Sequence, residues 1–198
     1  MKHKILLIIG IVGIFLSACE ERRIYVPKQR GYFRIDFPES SLSERISKDY
    51  PYSFKIPEYA KFLPDTSKNA EPYWANILYP EFKAIIHISY KNITDNLNVF
   101  VDDAHFFVFQ HDIKADAIRA QEFNYDSKNV HGLLFDIAGD AASTMQFYIT
   151  DSSHHFVRGA LYFNVPPNKD SLAPVVEFMR KDIMDLISTF EWDNRKRF

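Results

Sequence analysis

Four stretches in the second half of the chain, AIRAQEFNYD, VHGLLFDIAG, ASTMQFYITD and HHFVRGALYFNV, follow one another between Ala117 and Val165 with only turn residues between them. They are rich in the β-branched and aromatic side chains that suit a pleated surface. Ser127-Lys128-Asn129, Gly139-Asp140 and Asp151-Ser152-Ser153 supply the turns. Links this short join antiparallel neighbours, because a parallel pair needs a crossover of about a dozen residues. The prediction is a four-stranded antiparallel meander, against which the rest of the chain must pack.

Upstream, GYFRIDFP (Gly31 to Pro38) sets Phe33, Ile35 and Phe37 against Tyr32, Arg34 and Asp36, the alternation of a half-buried strand ended by proline. YSFKIP (Tyr52 to Pro57) repeats the device with Phe54 and Ile56. A polar stretch, Glu39 to Asp49, separates the two, and a proline-rich connection runs from Pro57 to Pro72. YWANILYP (Tyr73 to Pro80) and KAIIHISYK (Lys83 to Lys91) then stand apart by Glu81 and Phe82, a hairpin spacing without the Asn-Gly signature.

Two helices complete the pattern. The first is capped by Thr94 or Asp95 and repeats Leu97, Phe100 or Val101, Ala104, Phe107 or Val108, and His111 at helical spacing. The second follows Pro166-Pro167, with Asp170 or Ser171 as cap and Pro174 in its first turn. Its stripe is Val175 or Val176, Met179, Ile183, Leu186 or Ile187, and Phe190, and a strand-like Ser-Thr-Phe-Glu-Trp tail ends it. The fold class is therefore α+β: an antiparallel sheet of about six or more strands with two packed amphipathic helices. The order and lengths of the elements resemble the Mog1/PsbP-type fold.

The N-terminus reads as targeting information. After MKHK, the run Ile5 to Leu16 is apolar without a break. As a helix it would reach roughly 18 Å, short of the ~30 Å bilayer core but suited to a signal peptide. Leu16-Ser17-Ala18-Cys19 resembles the bacterial lipobox, in which the cysteine sulfur receives diacylglycerol. Cys19 is the only cysteine; it has no disulfide partner, and four charged residues follow it. The reading is a lipoprotein signal peptide over 1–18, a tether over 19–30 and a single α+β domain over 31–198. The bilayer is the first partner, reached through acylated Cys19. Glu20 and Glu21 bear on sorting; the outer membrane is favoured over the inner, with the periplasmic and surface faces both open.

Without residues 1–18, 22 basic side chains face 26 acidic ones, near −4. That balance argues against a nucleic-acid partner, which calls for a basic stripe. Eighteen phenylalanines and 11 tyrosines against six glycines describe a dense aromatic core.

GYFRIDFPE, YPYSFKIP, WANILYPEFKAIIHISYKNI, HDIKADAI and HFVRGALYFNVPPNKDSLAPVVEFMRKDIMDLISTFEW resemble, in order, the GldD family of gliding-motility lipoproteins of Bacteroidetes. The resemblance covers nearly all of the mature chain and implies an accessory part of the gliding and type IX secretion machinery, with other envelope proteins of that machinery as partners. It carries over one residue, the lipidated Cys19, and no catalytic set.

The residues themselves offer no catalytic constellation, cofactor motif or metal set. His154 and His155 point to opposite faces of a strand, and His105 and His111 sit ~120° apart on a helix. His87 reads as a satisfied, partly buried imidazole, and His111 as a helix-end charge. Ser152 and Ser153 lie beside His154 at a hairpin tip, a poor place for attack geometry. Asp102 and Asp103 diverge on a helix. Aromatics remain: Tyr73 and Trp74 are the candidate partner-binding residues, with Tyr25, Tyr32 and Phe33 near the tether, although filling the core is the simpler role for all of them. Phe106, Phe107 and Phe109 spread apolar surface around the first helix, which must be sandwiched or docked on a partner. Two functions follow, a non-catalytic envelope scaffold or a lipoprotein holding a small apolar or glycan ligand between sheet and helix. An exposed aromatic patch favours the first and a lined cavity the second.

Overall fold

The structure, a computed structural model, describes residues 34–39, 41–42 and 49–193. The residues read as signal peptide (1–18) and tether (19–30), Cys19 among them, and Tyr25, Tyr32 and Phe33 lie outside the described residues.

The meander is present: β5 (Ala115–Tyr125), β6 (Val130–Gly139), β7 (Ser143–Thr150) and β8 (His155–Phe163) pair in succession, all antiparallel. The hairpin is present too. In it β3 (Ala75–Tyr79) and β4 (Ala84–Asn92) are joined by a 3-10 turn over Pro80–Phe82, with Lys83 left-handed at φ 49°. Pairing of β4 with β8 fuses the two halves into one seven-stranded sheet, which begins with the edge strand β2 (Lys61–Pro64) and has the order β2-β3-β4-β8-β7-β6-β5.

Three expectations near the N-terminal side are corrected. Arg34–Glu39 form no strand; the alternation there is satisfied by packing, with Phe37 stacked on Phe178 at 4.6 Å and Ile35 against the core. In YSFKIP only Tyr52–Ser53 is strand, β1, and it pairs with the tail strand β9 (Glu191–Trp192) outside the main sheet. The proline-rich connection contains a further strand, β2 (Lys61–Pro64), which fits an edge because Pro64 has no N–H to give.

One helix covers each face of the sheet. Helix α1 (Leu97–Phe109) lies on the face bearing Phe135, Ile137, Tyr148 and Phe156. Helix α2 (Lys169–Thr189) packs Met179, Ile183 and Leu186 on the other, against Ile77, Ile86, Met145 and Phe147. Every residue of β7 is consequently buried. The caps differ from expectation. Asn96 precedes α1, and the Asn168 side chain accepts the Ser171 N–H at 3.0 Å at the start of α2. Pro174 is the sixth residue of α2, past the first turn, so the Asp170 carbonyl lacks its helical donor.

Inside this layer Asp182 is 2% exposed and forms no ion pair among the described residues; Tyr59 donates its hydroxyl to the carboxylate at 2.8–2.9 Å. Burial pushes its pKa up to about 6, with Tyr59 pulling down and Asp185 pushing up. A raised carboxyl contributes stability below its unfolded pKa that is lost as pH rises through about 6, a loss of about 2–3 kcal/mol. Asp182→Asn keeps an acceptor for Tyr59 and removes the charge. It should stabilise the fold by about 1–3 kcal/mol at pH 7.5 and by nothing at pH near 4, in urea unfolding against the wild type.

Candidate functional site

Helix α1 is apolar on most of its circumference. Ala104 and Val108 are buried against the sheet, flanked by Leu97, Phe100 and Val101. The opposite side carries Val99, Phe106 and Phe109, 54–59% exposed, and beyond the helix end Ile113 at 94%. Spacings of three and seven put Val99, Phe106 and Phe109 on one solvent-facing side of the helix. Asp102 falls on the same side, between Phe106 and Phe109 around the axis, and Asp103 stands to one side of Val99; both are exposed. Scattered exposed apolar residues are ordinary on a protein surface, whereas a contiguous stripe needs a reason.

The helix covers only part of its sheet face. Beside it, toward β4, a cleft of about 420 Å³ opens, with Trp74, Phe100, Phe107 and Phe156 in its apolar lining and Ser89 and Arg158 among its polar groups. Trp74 is fixed by its indole N–H to the Tyr90 carbonyl at 3.1 Å, and Lys91, paired with Glu71, lies 5.7 Å from the centre of its ring. Arg158 stands on β8 opposite Ser89 and Tyr148. Its guanidinium carbon lies 4.6 Å from the centre of the Phe107 ring, and Nη2 donates to Oε1 of the buried Gln146. Arg158 Nε and Gln146 Nε2 are buried donors without acceptors. Among the described residues no carboxylate forms an ion pair with Arg158. Burial pushes its pKa down and Tyr162 pulls it back up; a guanidinium stays charged at neutral pH regardless.

Residues 22–192 match the profile of a family described as gliding motility lipoprotein GldD. The chain belongs to the GldD family. Membership of a lipoprotein family places it on a membrane of the cell envelope. Among solved structures, cyanobacterial PsbP (CyanoP) from Synechocystis sp. PCC 6803 is similar, at 14% identity and a TM-score of 0.47 over 77% of this chain and 93% of that one. A likeness of that degree carries no argument. No curated protein matches the chain.

In this GldD-family chain the residues singled out from the sequence fall in different places. Tyr73, at φ 66°, packs its ring edge-on to Tyr90 at 5.5 Å, and its carbonyl accepts the Tyr52 hydroxyl at 2.7 Å. Trp74 faces the cleft. His87 is exposed rather than partly buried, but its imidazole is satisfied by Asn76 Oδ1 at 2.6 Å. The helix-end role expected for His111 is corrected: burial and then Arg158 push its pKa down, against the charged form. His105 meets Phe135 edge-on at 5.2 Å. His155 is buried, stacked on Trp192 and bonded to the Tyr90 hydroxyl at 2.7 Å, while His154 is exposed.

The Ser-His neighbours do touch, Ser153 Oγ lying 2.8 Å from His154 Nδ1. Asp151 reaches the same Nδ1 at 3.7 Å, so the three do not form the relay through both ring nitrogens that activates a serine. Asp151 Oδ1 instead accepts the N–H groups of Ser153, His154 and His155, closing the turn between β7 and β8. Among the described residues no group of three or more His, Cys, Asp or Glu side chains converges as metal ligands would. Arg158 was missed from the sequence. Its signal was a lone cation inside HFVRGALYF, where every neighbour is apolar or small.

Proposed function

We propose that the chain is a non-catalytic scaffold or assembly component of the gliding-motility and type IX secretion machinery. Acylated Cys19 holds it to a membrane, the outer one in preference to the inner. The outer stripe of α1 docks another envelope protein of the machinery. That side of α1 is the observation carrying the reading: Val99, Phe106 and Phe109 are large, exposed and on one face, with Asp102 among them, and the exposed Ile113 follows the helix end. The surface that fits it is apolar and carries a lysine or arginine to meet Asp102, since buried aromatic anchors dominate affinity and charge complementarity sets orientation. Trp74, a few side chains away across the cleft, is the other aromatic that such a partner could meet.

A photo-crosslinking side chain at Val99, in intact cells, tests this. The expected adduct is with another motility or secretion protein, and the Phe106→Asp, Phe109→Asp double variant should reduce its yield by roughly tenfold. Both phenylalanines face water, so the melting temperature should hardly move. Cys19→Ser should release the chain from the membrane fraction and abolish the adduct. Undiminished crosslinking in the double variant rejects the stripe as the docking surface. Adducts drawn only from unrelated proteins reject the scaffold role.

A further inference from the structure

The cleft beside α1 makes demands that the docking stripe does not. Its aromatic walls are suited to an apolar body. At its polar end stands the Arg158 guanidinium, with no carboxylate paired to it among the described residues, held in orientation by Phe107 and Gln146 and with the Tyr162 hydroxyl as a further neighbour. Arg158 is partly buried, a position where a cation without a counter-ion carries a cost, and the usual compensation is a carboxylate or phosphate, whose planar or forked oxygens match the guanidinium. The remaining charges narrow the choice. Asp65 and Asp103 also line the cleft, and Lys91 is already neutralised by Glu71. Two aspartates repel a multiply charged phosphate more strongly than a single carboxylate. His87, the other basic group in the lining, is engaged by Asn76.

We infer that this cleft is a binding site for a monocarboxylate carried on an apolar body, the carboxylate resting on Arg158 and the body between Trp74 and Phe107. The Gln146 amide fixes the guanidinium from behind, its oxygen turned toward Nη2. A free acid and the carboxyl terminus of a peptide share this chemistry. The inference is independent of the docking reading: a ligand-free cleft would leave the α1 stripe untouched, and the reverse holds too.

The matched probes 2-naphthoate and 2-naphthamide have the same body and differ in charge. They would be titrated calorimetrically into the full chain in lipid nanodiscs, with empty discs as the blank. The acid is expected to bind at least about tenfold tighter than the amide, and Arg158→Gln to abolish that preference. Arg158→Lys should restore part of it, since charge survives while the fork is lost. A C-terminal peptide ending in Phe and its amidated twin make the second arm. Acid preference with the naphthyl pair alone identifies a free acid; preference with both pairs shows that the site also accepts a chain end. Equal affinity of acid and amide in both pairs overturns the inference, and so does no binding of either acid at millimolar concentration. Because these outcomes are read on the wild type, they stand even if an Arg158 variant fails to fold.

Discussion

Gly132→Ala is expected to destabilise the protein by roughly 3 kcal/mol or to prevent folding, read as a shifted urea midpoint at unchanged slope. The cause is a close approach between two backbones. A Cβ at Gly132 would stand 1.9 Å from the Tyr148 carbonyl oxygen of β7 and 2.7 Å from the end of the Phe123 ring. The ring can yield, but the carbonyl belongs to a strand buried along its whole length between two helices. Relief would require β6 to move away from β7, breaking ladder bonds on the way. Gly159 offers a graded comparison, because there the obstacle is the Phe147 ring at 2.2 Å and no backbone. Both glycines face an aromatic in the neighbouring strand, Phe123 opposite Gly132 and Phe147 opposite Gly159. If Gly132→Ala melts like the wild type, β6 and β7 are not packed as described.

Phe190→Ala is expected to cost about 3–5 kcal/mol, the range for emptying a fully buried aromatic site. Phe190 is 0% exposed and ends α2. Its ring stacks on Tyr52 at 5.8 Å and Phe54 at 6.0 Å and meets Trp192 edge-on at 4.7 Å. Truncation therefore removes the support under the β1–β9 pair as well as apolar area. Hydrogen exchange should report this directly: the Glu191 and Asp193 amides, which face β1, should lose protection by more than the global loss of stability accounts for. Uniform loss across the sheet would mean that the pair is held by its own hydrogen bonds and not by the ring.

The hairpin, the meander and both helices were legible because each advertises a local period and a turn at its end. The errors have equally local causes. Ile35 and Phe37 alternate as in a strand, yet alternation states only which side chains are buried, and Phe178 supplies that burial from a helix. β2 was hidden by the prolines around it, although one edge of a sheet tolerates a residue without an N–H. The α1 stripe was visible as an excess of phenylalanine. The cleft was not, because Trp74, Ser89, Phe107 and Arg158 come from four separate parts of the chain, brought together by the β4–β8 pairing, the Trp74–Tyr90 bond and the packing of α1 on the sheet. No short window of sequence holds that information.

That same pairing governs the order in which the chain can assemble. Ile86 meets Leu161 and Ile88 meets Gly159, so strands drawn from distant parts of the chain meet in the middle of the sheet. The hairpin of β3 and β4 can close early, but its inner edge remains open until β8 arrives after the intervening helix and three strands. Closures over such long loops are slow, and a chain emerging from its N-terminus must carry an open apolar β4 edge while it waits. Truncation anywhere before Phe163 should therefore yield an aggregating fragment instead of a smaller stable body.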